Sequence, residues 1–209
     1  MQKDKMNPIR ETMNVGFQLC PKDIGQFVKK GSIIFDMYDK ATGERTYFEK
    51  NNVITLDAGI HAARLFKDNA EPNFGMLMLA VGTGATGALL SPDAPDSRQR
   101  KLNNEIERKG FIATTFRDAL GNAVAYPTNI VDFTCTYGEA EAVGPLNEMG
   151  LLSPLSQNPA QKTPNPNNFP TRDTTLDLTQ YDVLLNYLTF GVITKPSTAT
   201  LSITWRITF

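Results

Sequence analysis

The last nine residues, Leu201-Ser202-Ile203-Thr204-Trp205-Arg206-Ile207-Thr208-Phe209, alternate without exception. Leu201, Ile203, Trp205, Ile207 and Phe209 fall on one side, and Ser202, Thr204, Arg206 and Thr208 on the other. A period of two is that of a β-strand with one buried face. Such a strand needs neighbours for its backbone and a second layer for its apolar face. The chain is therefore expected to close its core with this segment.

The chain has 209 residues, 41% of them hydrophobic, enough for one domain with a real core or two small ones. The formal net charge of -1 gives no general attraction to nucleic acid or to an anionic membrane surface. No apolar run approaches the roughly 20 residues needed to span a bilayer. Met1 to Pro8 lack the apolar core of a signal peptide. Two cysteines, Cys20 and Cys135, fit a chain made in a reducing compartment, with one disulfide between them left open. With His61 as the only histidine, a four-ligand zinc site is not expected.

Residues 1–30 are polar and broken by Pro8, Gly16, Pro21 and Gly25, and read as an extended arm. Its apolar residues, Phe17 and Phe27 among them, suit docking either on its own domain or on a neighbouring subunit. Ser32–Asp39 reads as a strand, Lys40–Gly43 as a turn, and Glu44–Thr55 as a returning strand broken near Asn51-Asn52. Leu56–Asp68 is the best helix, with Asp57 as its cap. Gly75–Gly82 is a continuous apolar run that suits a strand buried on both faces. Arg98–Lys109 is charged and could form one or two helical turns. Phe111–Asp118 and Ile130–Tyr137 read as strands, with Cys135 on the apolar face of the second. Ser153–Asp173, with five prolines, can be neither helix nor interior strand, and a loop this long is usually functional or a contact arm. Asp182–Thr194 and the last strand then form an expected hairpin around Lys195–Thr198. The sum is a mainly β, sandwich-like fold with one helix and long loops.

The chemistry looked for lacks its context. Gly82-Thr83-Gly84-Ala85-Thr86-Gly87 matches a dinucleotide-binding spacing, but Pro92 and Pro95 forbid the helix that must follow. The structural reading is a flexible turn leaving a buried strand. His61 has no nucleophile elbow to serve and reads as a partly exposed or capped helix residue. Asp36, Asp39, Glu44 and Glu49 look like a solvated strand face. Arg98, Arg100, Lys101, Arg108 and Lys109 interleave with Asp96, Glu105 and Glu107, which favours a salt-bridged surface or a subunit contact over a nucleic-acid site.

Four landmarks stand in order: Asn52-Val53-Ile54 running into Ala58-Gly59-Ile60; Leu79-Ala80-Val81-Gly82-Thr83-Gly84; Asp96-Ser97 leading to Leu102, Asn104-Glu105 and Arg108; and Gly144, Leu146-Asn147-Glu148-Met149-Gly150-Leu151 before the Trp205 strand. This order, over about residues 50 to 209, resembles a broad group of tailed-bacteriophage virion proteins of the tail-fibre or tail-associated type. The resemblance implies a non-enzymatic structural subunit at fibre attachment, collar or baseplate. It would be assembled in the host cytoplasm, with other virion proteins and copies of itself as partners. It implies no cofactor, metal, membrane or direct nucleic-acid contact. The expected organisation is an arm at 1–30 and a β-domain at 31–209 with its Pro/Asn-rich loop at 153–173. Phe17, Phe27, Arg98, Arg100, Phe169 and Arg172 are the candidate interface residues. A capsid decoration protein and a carbohydrate- or receptor-binding module, with Tyr126, Phe169 and Tyr181 as aromatic candidates, are the alternatives.

Overall fold

The computed structural model describes residues 30–67, 72, 75, 78–85, 87, 88, 91–166 and 177–208. Two antiparallel sheets pack face to face. One has six strands in the order β2(Arg45–Asn51), β1(Lys30–Asp39), β13(Ala199–Thr208), β10(Ile130–Tyr137), β8(Ala113–Arg117), β9(Ala123–Val124). The other has five, in the order β3(Val53–Ile54), β12(Val183–Lys195), β11(Gly144–Ser153), β4(Met78–Gly82), β7(Glu105–Gly110). A helix, α1(Leu56–Lys67), joins β3 to β4, and a two-residue ladder pairs β5(Gly87–Ala88) with β6(Ser91–Pro92). The expected mainly β, sandwich-like class is the observed one.

The alternating last strand lies inside the six-stranded sheet, between β1 and β10. Its apolar positions, from Leu201 to Ile207, join Ile33, Phe35, Val131, Cys135 and Tyr137 from its own sheet and Leu79, Val81, Met149, Leu151 and Leu188 from the other. Phe35, Phe48 and Phe190 close one flank, with the first two stacked at 4.7 Å between centroids. The Tyr137 hydroxyl donates across the sandwich to the Leu79 carbonyl at 2.8 Å, so the one polar group of that ring is satisfied in the core. Cys135 is buried and free, and burial pushes its thiol up to about 12, which leaves it inert as a nucleophile.

The expected hairpin around Lys195–Thr198 is not one. β12 pairs with β11 and β3, whereas β13 pairs with β1 and β10. The connection is an arch between the two sheets. Buried Lys195 holds it by donating to the carbonyls of Gly138 (2.8 Å) and Glu139 (3.2 Å) in the neighbouring β10–β11 crossover. The two strands of a hairpin share their faces. Val183–Phe190 is buried on both faces while β13 alternates, and that mismatch was a sign of different sheets. The break at Asn52 has the same meaning: β2 belongs to the six-stranded sheet and β3 to the five-stranded one.

Three further expectations are corrected. Thr55, not Asp57, caps α1: its hydroxyl accepts from the Ala58 amide at 3.2 Å and donates to the Leu184 carbonyl at 2.5 Å. Arg98–Lys109 forms no helical turn, because Glu105–Gly110 pairs with β4 as an edge strand. His61 is buried, with Nε2 3.2 Å from the Ser153 hydroxyl. Ser153 is itself buried, so this pair ties α1 to β11 and offers a substrate no approach.

Candidate functional site

The two sheets differ in what covers their outer faces. The five-stranded sheet is closed. Met78, Ala80, Leu102, Leu152, Leu184 and Tyr187 form a second small core on its outer side, under the segments that precede β7. Gly150 permits this closeness: a Cβ there would lie 2.5 Å from Leu184 Cδ1 and 3.1 Å from Leu102 Cδ1.

Glu148, on β11, is the polar centre of this side and is fully buried. Its Oε1 accepts from the amides of Gly84 (3.0 Å) and Asn104 (2.8 Å). Its Oε2 accepts from the Asn103 amide (3.1 Å) and the Tyr187 hydroxyl (2.6 Å). Burial first, and the Glu148 carboxylate second, push the Tyr187 phenol above its ordinary range, so it stays a donor. Adjacent Asn147 clamps Ala85 reciprocally, accepting from its amide and donating to its carbonyl at 3.1 Å each. Neighbours on a regular strand point to opposite faces. The register shift between Leu146 and Glu148 lets both side chains reach one loop.

The glycines of the Gly82-Thr83-Gly84 turn now have a reason. A Cβ on Gly82 would lie 2.5 Å from the Asn104 carbonyl oxygen and 2.8 Å from Glu148 Oε1, and one on Gly84 would meet the Asn103–Asn104 backbone. Small residues are needed there for close approach, not for a phosphate. Among the described residues the β5–β6 ladder follows, and no helix.

Arg108 extends the buried polar network. It binds Glu105 (2.6 and 2.7 Å) and Asp182 (2.6 Å). Asp182 also accepts from the amides of Leu155 (2.9 Å) and Thr163 (3.0 Å), and Lys162 reaches Glu105 at 2.9 Å. The described part of the proline-rich loop is thereby anchored on its own domain. Arg100, 3% exposed, faces Asp57 at 3.5 Å and fastens the first turn of α1. Arg98 is half-buried and bound to Asp96 at 3.0 Å. Phe17, Phe27, Phe169 and Arg172 lie outside the described residues, as do Cys20 and all of the arm expected at 1–30 except Lys30, which begins β1. Tyr126 is exposed and Tyr181 half-buried.

The outer face of the six-stranded sheet is, by contrast, polar and, among the described residues, open. Its central stripe is hydroxylic, with Thr200, Ser202 and Thr204 on β13 beside Thr134 and Thr136 on β10. Asp132 holds Arg206 (2.7 and 2.9 Å) and Arg117 (2.8 Å). Toward β2 the face becomes aromatic. Tyr38 is 47% and Tyr47 52% exposed. Arg45 makes a two-pronged pair with Asp36 (2.7 and 2.8 Å) and lies over the Tyr47 ring at 5.8 Å. The hydrogen bond from Arg45 holds the Asp36 carboxyl below its ordinary value. An open depression of about 390 Å³ lies among Asp36, Tyr38, Arg45, Thr136, Thr200 and Ser202. Nothing in the sequence beyond strand alternation pointed to this patch, because the β1–β2 hairpin is completed by residues of β10 and β13, far away in the chain.

Two of these carboxylates set the acid limit of the fold. Burial raises both Glu105 and Asp132, but Arg108 and Lys162 for the first, and Arg206 and Arg117 for the second, outweigh it. Both end below their ordinary values of 4.5 and 3.8. A depressed carboxylate stabilises the fold above its unfolded pKa, and that contribution is lost as pH falls through the folded one. The thermal midpoint is therefore expected to hold from neutrality down to about 4.5 and to drop below it. A midpoint that rises on acidification would show that these pairs contribute nothing.

Among the described residues no group of three or more His, Cys, Asp or Glu side chains is placed to hold a metal ion. Compared with protein-family models and with curated protein sequences, the chain matches none.

Proposed function

We propose that the chain is a non-enzymatic structural subunit of a bacteriophage particle, tail-associated at fibre attachment, collar or baseplate, that works through subunit interfaces. The observation that carries this reading is the meeting of three of the four landmarks at one point. Gly82 and Gly84 from the second, Asn104 from the third and Glu148 from the fourth form a single knot around the buried carboxylate. Leu102 and Gly150 pack beside it. The first landmark stands apart from this knot; the start of its helix meets the third where the Leu56 amide donates to the Ser97 carbonyl at 2.8 Å. The ordered motifs thus behave as one scaffold, which supports treating their order as a fold-level likeness to that group. A rigid sandwich with one closed and one open outer face suits a component that presents the same surface many times in a symmetric assembly.

The test is location. Purified particles should contain the chain, and a density map should put it at the tail or neck. Absence from washed particles would overturn the virion reading. Saturable binding of the purified protein to undecorated heads would overturn the tail assignment in favour of capsid decoration.

A further inference from the structure

We propose that the open face around Tyr38 and Tyr47 is a binding site for a neutral oligosaccharide. This does not rest on the virion reading. The strand register assembles the patch in two rows. Tyr47, Asp36, Ser202 and Thr136 face one another across β2, β1, β13 and β10, and Arg45, Tyr38 and Thr200 form the next row. The two tyrosines are diagonal cross-strand neighbours, roughly 7–8 Å apart by sheet geometry. The first row spans three strand spacings, about 14 Å.

The chemistry selects the ligand. A sugar ring offers C–H faces that lie on aromatic rings, and hydroxyls that each donate and accept. Tyr38 and Tyr47 supply exposed ring surface. Asp36 supplies acceptors, Arg45 donors, and Thr136, Thr200 and Ser202 supply groups that do both. The Asp36–Arg45 fork sets acceptor and donor side by side, the complement of two neighbouring hydroxyls. The site is also preorganised: the Tyr47 hydroxyl donates to Glu49 at 2.5 Å while Arg45 lies over the ring.

Other ligands fit less well. A nucleic acid needs cations for its phosphates, and Arg45 is already neutralised by Asp36. A protein partner's anchor needs an enclosed hole, and this depression is open and edged by the Asp36–Arg45 ion pair. A peptide strand would add along the outer edge of β2, in the plane of the sheet, and would leave Asp36, Thr136, Thr200 and Ser202 on the face uncovered.

The experiment applies the full chain to an immobilised array of neutral oligomers of glucose, galactose, mannose and N-acetylglucosamine, with sialylated and sulfated glycans alongside. At least one neutral series should be retained, with little salt dependence. Tyr38→Ala and Tyr47→Ala should each weaken that binding about tenfold or more, roughly the effect of 1.4 kcal/mol. Tyr126→Ala should leave it unchanged. Both tyrosines are exposed, so the variants should keep the wild-type thermal midpoint. Retention of no neutral oligomer, retention of charged glycans only, or undiminished, wild-type binding by both tyrosine variants would each overturn the site. A change of oligomeric state in the tyrosine variants in place of lost glycan binding would assign the face to a second copy of the chain instead.

Discussion

Glu148→Ala is expected to lower the stability of the fold by about 4 kcal/mol or more, among the largest single-residue effects in this chain. The substitution leaves three backbone amides, those of Gly84, Asn103 and Asn104, and the Tyr187 hydroxyl without their acceptor. An orphaned buried donor costs about 1–3 kcal/mol, which applies in full to the buried Tyr187 hydroxyl and in part to the three half-buried amides. Glu148→Gln separates charge from shape. Its amide keeps one acceptor oxygen and turns donors toward donors at the other, so about half the loss should return. Chemical denaturation of the two variants against wild type reads both values. An unchanged midpoint for Glu148→Ala would show that the turn after β4 is held by something other than this carboxylate.

Trp205→Ala is the second large loss, about 3–5 kcal/mol, because the ring is 0% exposed and its removal leaves a cavity between the sheets. On its own sheet it stands between Ile33 and Phe133, so collapse around the gap would have to shift two strands at once. Trp205→Phe should cost far less, about 1–2 kcal/mol. The indole Nε1 has no hydrogen-bond partner, and phenylalanine removes that unsatisfied donor along with part of the ring. A Phe variant as unstable as the Ala variant would show that ring volume alone does not explain the role of Trp205.

The two residues were not equally legible. Trp205 announced itself by alternation, as did Cys135, which falls inward where the period placed it. Glu148 gave no such sign. A carboxylate beside an asparagine on a strand reads as solvent-facing, and its four donors come from segments about 40 to 65 positions away. Gly82 and Gly84 were legible as a turn, but the need for glycine was not, since it depends on the Asn103–Asn104 backbone arriving against them. Arg100 looked like any surface arginine in a charged stretch until Asp57 was placed beside it. The aromatic pair of the open face was hidden in the same way: Tyr38 and Tyr47 are close because a hairpin register sets them diagonally, and Thr136, Thr200 and Ser202 complete the patch from distant strands.

Sequence alone therefore determined several elements and their faces, though it did not reveal β7 or β11 as strands: an alternating last strand, a doubly buried β4, a helix after Thr55, and glycine and proline breaks between them. These are local properties, because side-chain direction follows from backbone torsions within a few residues. Only the tertiary structure decided which edges meet. It sent β12 and β13 to opposite sheets across the Lys195 arch and made Asn52 a sheet switch. It also buried Glu148 under three amides and left one sheet face open. Pairing edges and buried charges take their partners from remote segments, and closure of the whole sandwich selects those partners where no local period can.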